Sequence, residues 1–425
     1  MTSLSFSPEK QYAQQLDAED ELASLRDEFV LPESDLIYLD GNSLGPLTHC
    51  TQARLQSAVT QEWGQELVRG WNQGWYTAST RIGEKIARLV GAAEGQVIIS
   101  DSTSVNLFKL VLAALALKPE RKTIVSDMLN FPSDLYILQG CVRLLGNRHQ
   151  IRMVTSADGI QPDLEQLYNA IDGETALVTL SHVTFKSGYL YDVAAVTERA
   201  HQAGALVLWD LSHSVGVVPI ELDQWGVDLA VGCTYKYLNG GPGAPAFLYV
   251  RQDLQERMQN PISGWFGQQG PFAFDLDYTP AAGITRFLSG TPPILSLLAI
   301  EPALDIILDA GINSIRHKSS DLTSYLVDLV NVYLGPLEFI LGSPREAERR
   351  GSHISLHHPE GYRINRALID EMHVLPDFRE PDNLRLGLAP LYTTFTEVWQ
   401  AVDRIRQVVE QQHYLHYPLE RLPVT

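Results

Sequence analysis

From about residue 96 to residue 250, short apolar runs bounded by Gly-, Pro- and Asn-rich turns alternate with amphipathic stretches. This pattern predicts βα units and a mainly parallel sheet. The runs at 97–100, 124–126, 151–154, 176–181 and 205–209 read as buried strands, because apolar residues fall on both faces. A further run over 228–235 has the same character. Helical periodicity covers 107–117, 133–145, 162–171 (with Asp163 in its first turn) and 193–202. Upstream, 9–29 predicts one acidic amphipathic helix, 36–40 a strand entering the turn Gly41-Asn-Ser-Leu-Gly-Pro46, and 48–68 a helix. Downstream, helices are expected over 294–310 and 311–333, and strands over 338–341, 353–357 and 384–387. The expected architecture is α/β, with a large domain over 51–310 and a smaller α+β domain made of 1–50 and 311–425.

Two ionisable residues stand where apolar strands end. Asp210 closes the run 205–209, and Lys236 follows the run 228–235. Ligands of open α/β sheets bind outside the carboxyl ends of the strands, so a carboxylate and an amine face one crevice. A lone Asp and Lys would ordinarily be a cap and a solvated loop lysine. Lys236, however, lies between Tyr235 and Tyr237, ahead of Asn239-Gly-Gly-Pro-Gly243, a backbone suited to tight turns and close approach to a ligand. An aldehyde cofactor with a protonated pyridine ring needs such a lysine for its Schiff base and such an acid for its ring nitrogen. Pyridoxal phosphate meets both demands.

A phosphate cradle is then expected. Asp101-Ser-Thr-Ser-Val-Asn106 leads from a strand into an apolar helix, and hydroxyls and free N–H groups at a helix start serve capping and phosphate binding with one geometry. Phe131, in a loop followed by a proline, is suited to stack on a flat ring. Asn42 and Ser43 read equally as turn residues and as ligand contacts. Trp71, flanked by glycine and polar residues, reads equally as packing and as a pocket wall.

The chain has 425 residues, 45% of them hydrophobic, enough for two or three folding units. A net charge of -19 disfavours nucleic acid and anionic membranes as partners. Three cysteines without metal-ligand spacing point to a reducing compartment and to no metal site. No signal peptide, transit peptide or 20-residue apolar span is evident, which makes the cytoplasm the expected location. G-x-G-x-x-G after a strand, Walker A, H-E-x-x-H and G-x-S-x-G are all missing.

Trp209-Asp-Leu-Ser-His213 and Thr234-Tyr-Lys-Tyr-Leu-Asn239-Gly-Gly-Pro-Gly243 resemble the fold-type-I pyridoxal-phosphate enzymes, and within them the kynureninase family. Leu39-Asp-Gly-Asn-Ser-Leu-Gly-Pro46, Phe131-Pro-Ser-Asp134, Gly264-Trp-Phe-Gly267, Ser289-Gly-Thr-Pro-Pro293 and Asn383-Leu-Arg-Leu-Gly-Leu-Ala-Pro390 resemble further blocks of that family, in order over nearly the whole chain. The resemblance implies a seven-stranded large-domain sheet and a homodimer with its active site at the interface. It implies that Lys236 carries the cofactor, Asp210 pairs with its ring nitrogen, His213 lies beside it and Phe131 stacks on it. Thr103, Ser104, Ser133, Asp134, Thr184, Tyr235 and Thr291 would contact the cofactor, with Trp265 supplied across the interface. Arg385 would receive the substrate carboxylate, with Asn42, Ser43, Trp71 and Thr291 around the substrate.

The implied reaction is hydrolysis of the Cβ–Cγ bond of L-kynurenine to anthranilate and alanine, in tryptophan degradation, with Lys236, Tyr235 and Asp210 as catalytic residues and Tyr235 as proton donor. Family members favouring 3-hydroxykynurenine carry His and Asn where this chain has Trp71 and Thr291, so L-kynurenine is the expected substrate. An aminotransferase or desulfurase-like lyase of the same fold is the nearest alternative, although no cysteine follows Cys233 to act as a desulfurase nucleophile. A non-catalytic carrier of the cofactor would have no use for Arg385.

Overall fold

The computed structural model describes residues 6–32 and 35–420. A two-residue strand β1 (Ile37–Tyr38) precedes the main sheet. That sheet is built from β2 (Val97–Ile99), β3 (Thr123–Asp127), β4 (Gln150–Val154), β5 (Thr175–Ser181), β6 (Leu206–Asp210), β7 (Leu229–Gly232) and β8 (Phe247–Val250), in the order β2-β8-β7-β6-β5-β3-β4. All neighbours are parallel except those of β8, which runs antiparallel to both β2 and β7. Along most of these strands alternate residues enter different cores. Val207 and Trp209 of β6 belong to one, and Leu206 and Leu208 to the other. A sheet covered on both faces explains why its strands read as unbroken apolar runs.

A second sheet has the order β12-β13-β10-β9, from β9 (Ile340–Leu341), β10 (His353–His357), β12 (Asp377–Arg379) and β13 (Asn383–Gly387), all antiparallel; β11 (Val374–Leu375) pairs in parallel with β1. A third core lies here, where Ile354, Leu356, Leu384 and Leu386 meet Leu322, Leu326, Val402 and Ile405.

The N-terminal stretch departs from expectation. Instead of one helix over 9–29, an α-helix Lys10–Ala18 ends and a 3₁₀ segment Ala23–Glu28 follows. Asp20 causes the break: its carboxylate accepts from the Leu22 N–H at 2.9 Å and pairs with buried Lys318 at 2.7 Å, so it closes a local turn. The helix expected over 48–68 is α-helical only over His49–Ser57, then widens to a π-helix over Ala58–Glu66. Asp163 caps the helix Leu164–Ala170, accepting from the Gln166 N–H at 2.9 Å, rather than lying within its first turn.

Among the described residues no helix is long and apolar enough to cross a membrane, and no group of three or more His, Cys, Asp or Glu is placed to hold a metal ion.

Candidate active site

β6 delivers Asp210 to the carboxyl end of the sheet, where the Ser212 N–H and hydroxyl donate to its Oδ1 at 2.9 and 2.6 Å. Facing it is Asp134, buried in the first turn of the helix Pro132–Leu144. Burial first, and then the Asp210 charge, push the Asp134 carboxyl well above the usual carboxylate range. Two facing buried carboxyls favour retention of a proton on one of them, or a cation placed against them.

Lys236 lies four residues beyond β7. Its Nζ is 3.1 Å from His213 Nε2 and 5.8 Å from the centre of the Phe131 ring. Burial, and then the Lys236 charge, hold His213 well below the usual imidazole value. The neutral ring therefore accepts a hydrogen bond from the ammonium. Phe131 is 37% exposed and is braced edge-on by Phe185, 5.2 Å between centres. One face of its ring is thus left for a flat partner.

The loop after Lys236 needs its glycines. Asn239, Gly241 and Gly243 all have positive φ. Gly45 approaches so closely that a Cβ there would sit 2.2 Å from Asn239 Oδ1 and 2.4 Å from the Lys236 carbonyl oxygen, and its N–H donates to the Tyr235 carbonyl at 2.8 Å. The 40–46 turn is thereby fastened to the lysine loop. Tyr235 is half-buried, and Cys233 beside it, together with burial, raises its phenol above the usual value. At neutral pH it keeps its proton.

Ser102 caps the helix Thr103–Leu117, accepting from the Val105 N–H at 3.4 Å. Ser104 Oγ then meets Ser133 Oγ at 3.0 Å, which brings the starts of two helices together, a ready anion site. The preceding turn is anchored by buried Lys109, whose Nζ donates to Asp101 at 2.7 Å, Ser100 Oγ at 3.0 Å and the Phe287 carbonyl at 2.7 Å. Thr184 is buried, but its hydroxyl is engaged within its own turn, with Ser187 at 2.8 Å and the Tyr189 N–H at 2.9 Å.

Arg385 lies on β13, directly opposite Asp377 of β12. Its Nε donates to Asp377 Oδ1 at 2.9 Å, and its Nη2 donates to Asp377 Oδ2 and to Ser43 Oγ at 3.1 Å. Nη1 donates to the Phe185 carbonyl. With its amide oxygen turned to the guanidinium, Asn42 accepts from Nε at 2.8 Å. Asp377 thus orients the fork through one edge. On the Nη1–Nη2 edge, the Phe185 carbonyl and the Ser43 hydroxyl are neutral acceptors that a carboxylate can replace.

Trp71 and Trp265 form a separate group through Phe266, at 5.7 and 4.9 Å between ring centres. Trp265 is 41% exposed. Thr291 is exposed, on a crevice shared with Asp101 and Ser289. Asp377, Arg379 and Phe185 were not legible as site residues, since none has a motif spacing, and Ser212 lay within the block 209–213 without a role assigned to it. Asp40 was the end of an expected strand, just before a recognised turn, but carried no distinguishing signal.

Residues 315–405 match the family model described as the kynureninase C-terminal domain. Over 402 residues the chain is 47% identical to a kynureninase of Pseudomonas fluorescens and 44% identical to one of Burkholderia pseudomallei, with 93% of this chain and 94% of each relative covered. Among solved structures, it resembles an apo cysteine desulfurase of Thermococcus onnurineus (TM-score 0.79, 19% identity, covering 91% of this chain and 98% of the other). It also resembles a cysteine desulfurase of Escherichia coli (0.74, 18%, 92% and 99%). At such identities these structures speak for the fold alone.

Proposed function

The chain belongs to the kynureninase family, and from that premise we propose that it hydrolyses the Cβ–Cγ bond of L-kynurenine, releasing anthranilate and L-alanine, at a site built around Lys236. Family membership makes it a pyridoxal-phosphate-dependent carbon–carbon hydrolase. The observation that carries the reading at residue level is the convergence of His213 and Phe131 on Lys236 Nζ, beside the Asp134–Asp210 pair.

The residues present fit the cofactor. The facing carboxyls suit a pyridinium N–H, the open face of Phe131 suits a flat ring, and the paired helix starts at Ser104 and Ser133 suit a phosphate. When bound, pyridoxal phosphate supplies an electron sink for charge developing at carbons next to its imine. Lys236 would hold the cofactor through its aldehyde, and its Nζ, when free, would move a proton at the substrate α-carbon. Neutral His213 keeps that amine in position without competing for a charge. Arg385 orients the substrate by its α-carboxylate, and the Tyr235 phenol, protonated at neutral pH, delivers a proton to Cβ.

Trp71 packs among Trp75 and Phe266, surroundings with little to offer a ring hydroxyl, and this supports L-kynurenine over 3-hydroxykynurenine. Incubating the cofactor-loaded protein with each substrate and following the fluorescent aminobenzoate product tests both points. The expected kcat/KM favours L-kynurenine. Amino transfer to pyruvate without anthranilate would overturn the reaction, and a clear preference for the hydroxylated substrate would overturn the specificity.

We also read the protein as a homodimer. Trp265, Phe272, Phe274 and Leu276 stand exposed on one loop region, and an apolar groove of about 710 Å³ runs along Leu44, Pro46, Leu55 and Leu295 beside the lysine loop. Such patches favour a partner. Sedimentation is expected to show a dimer, and a Trp265→Ala variant to lose cofactor or substrate affinity. The separate third core, which gathers Ala13, Ile37 and Leu39 with residues between 322 and 408, supports a small domain of 1–50 and 311–425 beside a large domain of 51–310, although Leu22, Phe29, Ile315 and Tyr392 pack into the core of the large domain. Three free cysteines support the cytoplasm as location, and the products suit tryptophan degradation.

A further inference from the structure

We propose that Asp40 and Asp377 hold one proton between them, and that Asp40, acting through Arg385, sets the charge met by the substrate α-carboxylate. This rests on Arg385 being the receptor for that carboxylate. Asp40 follows β1 and bridges to Gly387, two residues beyond Arg385 on β13. The turn lies so close to β13 that a Cβ on Gly387 would fall 1.8 Å from Asn42 Oδ1. The half-buried Asp40, with its Oδ1 enclosed, therefore lies beside the arginine site. That Oδ1 has no hydrogen-bond partner among the described residues, while Ser43, whose N–H donates to the Asp40 carbonyl at 2.9 Å, donates its hydroxyl to Asp377 Oδ2 at 3.0 Å, which ties the two aspartates to one arginine site.

Two neighbouring carboxyls shielded from solvent that repel one another cannot both carry a full charge at low cost. The surroundings decide which one yields. Asp377 is held by two guanidiniums, Arg385 at 2.9 Å and Arg379 at 2.8 Å. Burial is the largest single influence and opposes its charge, but the charge and hydrogen bonds of Arg385, with Arg379 and Ser43, together outweigh it and keep its carboxyl below the usual range. Asp40 makes no such bond, and burial followed by the Asp377 charge pushes it up to about 7. The titratable and charged groups facing it are Tyr38, Tyr237, Tyr392, Asp377, Arg379 and Arg385. The three phenols are raised and stay neutral.

With Asp40 protonated, two arginines and one aspartate leave a net charge of +1, matched to one carboxylate. As pH rises through about 7, Asp40 ionises and that balance falls to zero. A carboxylate ligand should therefore bind more weakly above this pH. Reciprocally, the bound carboxylate favours the protonated form, so binding takes up a proton there.

L-alanine, which carries the α-amine and carboxylate without the ring, is the probe. Its Kd is measured between about pH 6 and pH 8.5 on cofactor-loaded wild type, Asp40→Asn and Arg385→Met; contributions of Lys236, the cofactor and the ligand amine are common to wild type and Asp40→Asn. The wild-type Kd is expected to rise above pH 7 relative to that of Asp40→Asn, by at most about tenfold per pH unit. Parallel pH profiles would overturn the proposal. Calorimetry of the wild type in two buffers serves independently of any variant. L-alanine should take up more protons than ethylamine, which lacks the carboxylate, and equal uptake would also overturn it. Unchanged L-alanine affinity in Arg385→Met would instead remove the carboxylate assignment on which the proposal rests.

Discussion

Replacing Lys236 with alanine is expected to abolish turnover of L-kynurenine and, with it, the visible absorbance of a cofactor held covalently on the protein. No neighbouring group can take over. Besides Lys236, His213 and the Asp134–Asp210 pair surround the site; none of them carries a primary amine able to hold the aldehyde covalently, and burial, the larger influence on the His213 ring, remains in the variant. The expected fall in kcat/KM is at least the upper end of the roughly 10²- to 10⁴-fold range for a positioned proton-transfer group. Non-covalent retention of the cofactor by Phe131 and the Ser104–Ser133 helix starts should persist, so denaturation of the variant should still release pyridoxal phosphate. An absorbance spectrum before and after adding L-kynurenine, with product assayed by fluorescence, reads both consequences. Survival of visible absorbance and turnover together would remove Lys236 from the centre of the mechanism.

The parts of this site that chain periodicity made legible lie at the ends of buried strands. Asp210 and Lys236 follow apolar runs whose position and length were readable, and the helix start at Ser102 announced itself by its hydroxyls. Strand direction was not readable: an apolar run is the same forwards or backwards, so nothing marked β8 as antiparallel. Asp377 was hidden for another reason. It meets Arg385 across an antiparallel pair, eight residues away in sequence, and a lone aspartate at that spacing resembles any surface aspartate. Asp40 was seen as the end of a strand. Its importance comes from the fold of the 40–46 turn onto β13, a contact that local pattern does not encode. The same holds for the break at Asp20, which depends on Lys318, about three hundred residues away along the chain.

Tyr235→Phe is expected to lower kcat by roughly 10²- to 10⁴-fold, the range for losing a positioned proton donor, with a much smaller change in KM. The substitution should not disturb the local fold. The backbone bond from Gly45 to the Tyr235 carbonyl is retained, and the charged or titratable groups that act on the phenol, Cys233 first and then Asp210 and Asp134, lie on other residues that the substitution leaves in place. The order of events gives a sharper test than the rate. Cleavage expels anthranilate before Cβ receives its proton, so a variant lacking the donor should still release up to one equivalent of anthranilate per site and then stall. Rapid mixing with excess L-kynurenine should show this burst followed by a slow steady rate, whereas the wild type shows no such separation if proton delivery is fast. Because Cys233 and burial keep the phenol protonated, the wild-type rate should not fall between about pH 7 and pH 9 through loss of this donor, which sits below its raised pKa throughout that range. A Phe variant with normal steady-state turnover would pass the Cβ proton to another group. His213, neutral and bonded to Lys236, would then be the first to examine, since its ring is the other proton-bearing group in contact with the lysine.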